Sequence, residues 1–324
     1  MILKGAIMLN IKNEVLAAKQ RIAPFIRETL LDYSLPLSRL TKCNVYLKCE
    51  NLQHTNAFKV RGAINKLLSL SNSQRQQGVV TASSGNHGTA VAFGLHQLQM
   101  KGIIFLPENA SSAKIENIKN YDIPIKFHAT DCMETEMFAM EYAKEHNQIY
   151  ISPYNDLAII AGQGTIATEI QAQLEKVDAI FVPIGGGGLA SGIAGYMKSI
   201  SPETKIIGCL PENSPVMAES VQAGKIVESS LKPTLSDATA GGIEPGSITF
   251  DFCRQYVDDY ILVSEQEIKS AIVCLLNTQH MLIEGGAAVT LAALLKSAEH
   301  YVNKNVVVIL SGANISVETL KTVL

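Results

Sequence analysis

The chain has 324 residues, 47% of them hydrophobic and 18% charged, with a formal net charge of −3. That length predicts two domains or one large one, with ample material for a core and no signature of disorder. The balance of charge shows neither the basic excess nor the basic stripe of a nucleic-acid binder, and no apolar run approaches the roughly 20 residues of a membrane span.

Six cysteines, at positions 43, 49, 132, 209, 253 and 274, form no CxxC and no zinc-type spacing with histidine. Reduced thiols in a cytoplasmic protein are the expectation. The N-terminal stretch MILKGAIM is too short for a secretory signal, and Met8 reads as an alternative start.

In chain order, the first distinctive segment is HTNAFKVRGAIN, residues 54–65. It sets Lys59 at the head of an otherwise apolar helical pattern. A lysine there is either a solvated charge or a reactive amine, and the segment alone leaves both open. Arg61 reads as a structural residue or as a surface ion pair on the same helix.

Residues 78–98, GVVTASSGNHGTAVAFGLHQL, read as strand, loop and helix. Capping of the helix would use one of the loop's polar residues. Ser83, Ser84, Gly85, Asn86 and His87 in a row fit a carboxylate site made of backbone N–H groups at a helix start. Residues 101–121 repeat the order. Residues 178–200 repeat it more strongly, with Gly185, Gly186, Gly187 and Gly188 between a buried strand and a helix predicted from about Leu189. Consecutive glycines cost conformational entropy; they make sense where backbone must approach a ligand directly. A helix start adds free N–H groups and a positive dipole end, so the loop is an anion site, most simply for phosphate. No Gly-Lys-Ser/Thr follows and the GxGxxG spacing is absent, which excludes a P-loop and a dinucleotide fingerprint.

A further strand starts at 205–210. Residues 211–250, rich in Pro, Gly, Ser and Thr, read as an irregular loop on the substrate side. Residues 306–314, VVVILSGAN, close the series and set Ser311 at a strand's carboxyl end. Short β-branched runs alternating with helices predict an α/β fold of parallel sheets covered on both faces. The loops would then meet at the carboxyl ends of the strands. A phosphate loop without a nucleotide motif, together with a candidate amine, fits pyridoxal phosphate, whose phosphate and aldehyde match the two.

Five stretches in order, NAFKVRGA, SSGNHG, AGQGTIATEI (161–170), VPIGGGGLASGIA and LSGAN, resemble the fold-type II pyridoxal-phosphate enzymes, in the branch of threonine/serine dehydratases and serine racemases. The resemblance runs over nearly the whole chain. It implies two domains of parallel-rich twisted sheet flanked by helices. Residues 1–52 and 150–324 would form the larger, cofactor-binding domain and 53–149 the smaller, without a C-terminal regulatory domain. It implies a homodimer with an amino-acid substrate. Lys59 matches the Schiff-base lysine and Phe58 the aromatic against the cofactor ring. Asn86 matches the ligand of the 3′-oxygen, Gly185 to Leu189 the phosphate loop, and Ser311 the partner of the pyridine nitrogen. Ser83, Ser84, Asn86 and His87 fall on the substrate-carboxylate loop.

The implied activity is β-elimination of L-threonine, L-serine or a related β-hydroxy amino acid to a 2-oxo acid and ammonia. A serine at the pyridine nitrogen favours elimination over transamination. Ser84, where many dehydratases carry alanine, keeps a serine racemase as the alternative; a non-catalytic binding protein on this fold is a remote one. The chain departs from metal-activated relatives at Leu210 and Val216, where acidic residues are expected, with Glu212 out of register, so no metal site is predicted. Glu284 resembles a family glutamate near the cofactor or cation, or else caps a helix.

Overall fold

The computed structural model describes residues 11–324, so the N-terminal stretch and its alternative start at Met8 lie outside the described residues. The strands are β1 (Leu31–Tyr33), β2 (Asn44–Lys48), β3 (Val79–Ala82), β4 (Gly102–Leu106), β5 (Ile125–Phe127), β6 (Ile149–Tyr150), β7 (Ala179–Pro183), β8 (Lys205–Pro211), β9 (Asp259–Val263) and β10 (Asn305–Ile309). They form a six-stranded sheet in the order β1-β2-β10-β7-β8-β9 and a four-stranded sheet in the order β5-β4-β3-β6. Every pairing is parallel except that of β1 with β2 at one edge.

The unbroken apolar runs of β7 and β10 follow from burial on both faces. Along β7, Ile180 and Val182 enter one core with Val307 and Ile309 of β10; Ala179 and Phe181 enter the other with Val306 and Val308. The first core is covered by helices Ile11–Ile22, Leu157–Gln173, Gly188–Ile200 and Ile248–Tyr256. The second is covered by Leu35–Thr41, Glu265–Gln279 and Gly285–Ser297. The smaller sheet is covered by Lys59–Ser69 and Asn86–Leu98 around Val79, and by Cys132–Glu145 around Val80 and Phe105. We propose that this sheet and its helices form the smaller domain, residues 53–149; β6 straddles its end.

The motif at 161–170 turns out to be a packing device. Helix Leu157–Gln173 lies so close to helix Lys59–Ser69 that a Cβ on Gly162 would sit 2.6 Å from the carbonyl oxygen of Arg61. The segment 211–250 is not wholly irregular, since it contains the helix Val216–Ala223 and a 3-10 turn at Asp237–Thr239. No helix among the described residues is long and apolar enough to cross a membrane.

Candidate active site

Lys59 opens its helix directly behind a clamp between two distant segments. Ala57 bridges Gly312, and the Phe58 N–H donates to the Ser311 carbonyl at 3.0 Å. The clamp ties the helix start to the carboxyl end of β10. Lys59 Nζ donates to the Pro153 carbonyl at 2.9 Å and lies 5.3 Å from the centre of the Phe58 ring. Burial lowers its pKa from 10.5 to about 8, against the opposing charges of Glu136 and Glu284. The amine is therefore desolvated, with its charged form disfavoured, rather than a solvated surface charge.

The polar loop after β3 is not used for capping. Helix Asn86–Leu98 has Gly85 as its N-cap, with no side-chain cap bond. Ser83 Oγ accepts from the Gly85 N–H at 3.2 Å, and Ser84 stands half-buried beside it. His87 is buried, and its Nε2 is 3.1 Å from the Ile151 carbonyl oxygen. Burial and the charge of Lys59 depress its pKa to about 3. The ring is neutral at physiological pH and brings no charge to the loop.

Asn86 belongs to a polar knot. Its Nδ2 donates to Glu284 Oε1 at 2.7 Å, and its Oδ1 accepts from Asn314 Nδ2 at 2.7 Å. Glu284 Oε2 accepts from the Asn314 N–H at 3.0 Å. Glu284 is only 4% exposed and is the N-cap residue of helix Gly285–Ser297, though its side chain makes no cap bond. Burial, and next the charge of Asp237, push its pKa up to about 7.

The glycine loop follows β7, and its helix starts at Gly188, one residue before the predicted Leu189. Gly187 has φ +87°, a conformation that favours glycine. A Cβ on Gly186 would lie 2.4 Å from the Tyr154 ring, and one on Gly185 would lie 2.9 Å from the Thr239 backbone. The first N–H groups of the helix have no intrahelical acceptor and carry the positive dipole end. Thr249 Oγ1 donates to the Gly186 carbonyl at 2.6 Å and braces the loop from behind. The side chain of Leu189 is buried in the core, so that residue offers the loop its N–H alone. Ser311 is buried at the end of β10.

Arg61 is not on the surface. It is 0% exposed, and its guanidinium pairs with residues outside its own helix. It reaches Glu50 Oε2 from Nε and Oε1 from Nη2, both at 2.8 Å, and Glu169 Oε1 from Nη1 at 2.6 Å. Lys48 Nζ donates to Glu169 Oε2 at 2.6 Å. Two cations thus meet two carboxylates in the interior behind Lys59. Leu210 and Val216 are buried in the core. Among the described residues, no group of three or more His, Cys, Asp or Glu is placed to hold a metal ion.

Sequence reasoning missed Pro153, Tyr154, Asn155, Glu136 and Glu244. Tyr154 Oη accepts from the Glu244 N–H at 3.0 Å, and Asn155 Nδ2 donates to Glu244 Oε2 at 2.7 Å. The one signal was the Pro-, Gly-, Ser- and Thr-rich composition of residues 211–250, read as a substrate-side loop, which include Glu244.

Parallel sheets whose strand ends gather a desolvated lysine and a glycine cradle at a helix start define a site for a phosphorylated aldehyde; the two features fit pyridoxal phosphate at its two ends. The chain matches the family described as pyridoxal-phosphate dependent enzymes over residues 22–312, and it belongs to that family. Pyridoxal phosphate is its cofactor. It is 37% identical to the L-threonine ammonia-lyase of Thermotoga maritima over 96% of this chain and 77% of that one. It is likewise 37% identical to the catabolic L-threonine dehydratase of Escherichia coli, over 96% of this chain and 95% of the other. Among solved structures, threonine deaminase isoform 2 of Solanum lycopersicum superposes with a TM-score of 0.93 at 33% identity, covering 98% of this chain and 87% of its own. Maize serine racemase superposes with a TM-score of 0.91 at 32% identity, covering 96% and 95%.

Proposed function

We propose that the protein is an ammonia-lyase that dehydrates L-threonine, L-serine or a related β-hydroxy amino acid to a 2-oxo acid and ammonia. The observation that carries this reading is Lys59, a desolvated amine beside a glycine cradle, in a chain whose relatives over 96% of its length include threonine ammonia-lyases and dehydratases.

Pyridoxal phosphate, when bound, supplies the electron sink that makes the substrate's α-proton acidic. The protein's groups do the rest. Lys59 would hold the aldehyde through Nζ and, as the free amine, would take the substrate's α-proton there. The N–H groups from Gly185 to Leu189 bind the phosphate, and Phe58 packs beside the ring. Asn86 positions the 3′-oxygen, and Glu284 orients Asn86. The loop of Ser83, Ser84, Asn86 and His87 binds the substrate carboxylate through its N–H groups. Ser311 bonds the pyridine nitrogen without holding a proton on it as an aspartate would, which favours loss of the β-hydroxyl over transamination. Water leaves in the elimination, and hydrolysis of the product enamine consumes water and releases ammonia.

Purified holoenzyme incubated with L-threonine and L-serine is expected to release 2-oxo acid and ammonia in equal amounts. No 2-oxo acid from any β-hydroxy amino acid would sink the proposal. A racemase is the second reading, favoured by Ser84 and by the likeness to maize serine racemase. Chiral chromatography of residual serine separates the two; Ser84→Ala is expected to suppress inversion more than elimination.

We take the working form to be a cytoplasmic homodimer. The exposed Leu30, Tyr33, Leu35 and Leu40 around the edge strand β1 supply apolar surface for a second copy. Sedimentation equilibrium is expected to give twice the chain mass.

A further inference from the structure

Two carboxylates that the elimination does not use stand near the site: Glu136, whose charge acts on Lys59, and Glu244, whose charge acts on Glu136. Glu136 comes from helix Cys132–Glu145 on the smaller sheet, and Glu244 from the loop before helix Ile248–Tyr256. Tyr150 Oη donates to Glu136 Oε1 at 3.0 Å. Glu244 is fixed through Asn155 and Tyr154, which directly follow Pro153, the acceptor of Lys59. Tyr154 also walls the glycine loop. One stretch of backbone, residues 153–155, therefore holds both the Lys59 amine and Glu244. Burial raises the pKa of Glu136, the hydrogen bond from Tyr150 works against it, and the Glu244 charge adds to the rise while Lys59 opposes it.

The pair lacks a dedicated counterion. No ion pair among the described residues includes Glu136 or Glu244. Lys59 cannot serve as one throughout turnover, because its amine is committed to the cofactor and the α-proton. Glu244 Oε1 is closed off from solvent and has no hydrogen-bond partner. A sequestered carboxylate oxygen without a donor is an unfilled acceptor, and two half-buried carboxylates without a cationic partner favour a cation between them. The methyl group of threonine offers neither a donor nor a charge.

We propose that Glu136 and Glu244 form a subsite for a cationic group carried beyond Cβ, and that the substrate class is β-hydroxy amino acids with a distal ammonium. This rests on the reading of the site as an elimination site. The ammonium donates to Glu244 Oε1 and offsets one of the two negative charges, while the β-hydroxyl stays at the reacting centre. An anionic side chain is repelled by the same two residues.

The test is a binding comparison on holoenzyme, followed by the change in cofactor absorbance. 2,4-Diaminobutanoate and 2-aminobutanoate differ only in the γ-ammonium, and neither has a β-hydroxyl to lose. The diamino acid is expected to bind at least about tenfold tighter, with a preference that shrinks as salt rises. Glu244→Gln and Glu136→Gln are each expected to cut that ratio severalfold. Equal or weaker binding of the diamino acid by the wild type overturns the proposal, as does an unchanged ratio in both variants. If a variant misfolds, the wild-type ratio decides alone. In turnover, 2,4-diamino-3-hydroxybutanoate is expected to exceed threonine in kcat/KM. If neither compound is eliminated while the binding preference holds, the ammonia-lyase reading fails and the subsite stands.

Discussion

Asn86 and Glu284 meet at 2.7 Å, from the heads of helices packed on different sheets. The bond joins the smaller sheet to the larger one at the cofactor site, and Asn314 closes the knot from the carboxyl end of β10. Replacing Glu284 leaves the Asn86 amide and the Asn314 N–H without this acceptor. Glu284→Ala is expected to lower the stability of the cofactor-free protein by about 1–3 kcal/mol, measured by urea unfolding.

The same residue predicts a pH dependence. Its pKa is raised from 4.5 to about 7 in the folded chain, so the folded state binds the extra proton. Its contribution to stability is full below pH 4.5 and is lost as pH rises through about 7. Thermal melts of the cofactor-free protein between pH 5 and pH 8 are expected to show this decline in the wild type and a flatter profile in Glu284→Ala.

Lys59 combines with an aldehyde only as the free amine. With a pKa of about 8 instead of 10.5, the free fraction at neutral pH rises from about one in three thousand to about one in ten. The rate of cofactor attachment to the cofactor-free protein is expected to climb with pH and level off above about 8. Lys59→Ala is expected to abolish attachment and activity. Borohydride reduction followed by peptide mass spectrometry locates the bond.

Gly186 has no room for a side chain, since an added Cβ falls 2.4 Å from the Tyr154 ring. Gly186→Ala must displace Tyr154 or the loop. Overpacking of this kind costs about 1–3 kcal/mol. Placed here, it is expected to weaken cofactor binding by on the order of tenfold, read by equilibrium dialysis.

Arg61 neutralises two buried carboxylates, of which Glu50 is fully enclosed. Glu169 would be raised by burial, but the guanidinium, with help from Lys48, holds it below its ordinary value. Arg61→Met removes one partner from a buried pair, and a loss of about 3–5 kcal/mol is expected. Arg61→Lys keeps the charge but not the planar fork, and is expected to recover only part of the loss. Chemical denaturation checks both.

The fold was largely legible because its signals are local. β7 and β10 announce themselves as unbroken apolar runs, and Gly185–Gly188 as a loop that only a ligand or a tight turn would require. Lys59 became legible through that loop. The environment of each residue was not. Arg61 looks like any helix arginine until Glu50 and Glu169, from elsewhere in the chain, close around it. Glu136 and Glu244 lie 108 positions apart in the sequence, on elements with no shared pattern, and nothing local marks them as neighbours. The neutrality of His87 likewise depends on the burial supplied by the fold.

Pro153, Tyr154 and Asn155 follow one another on a single stretch of backbone between β6 and helix Leu157–Gln173. The first holds the lysine amine, the second walls the glycine loop, and the third anchors Glu244. Peptide geometry leaves such a stretch few degrees of freedom. A tilt of the smaller sheet, which feeds this stretch through β6, would therefore drag all three together. Release of the lysine, fit of the phosphate and shape of the distal pocket are geared to one another, and tuning one without disturbing the others requires changes outside these three residues.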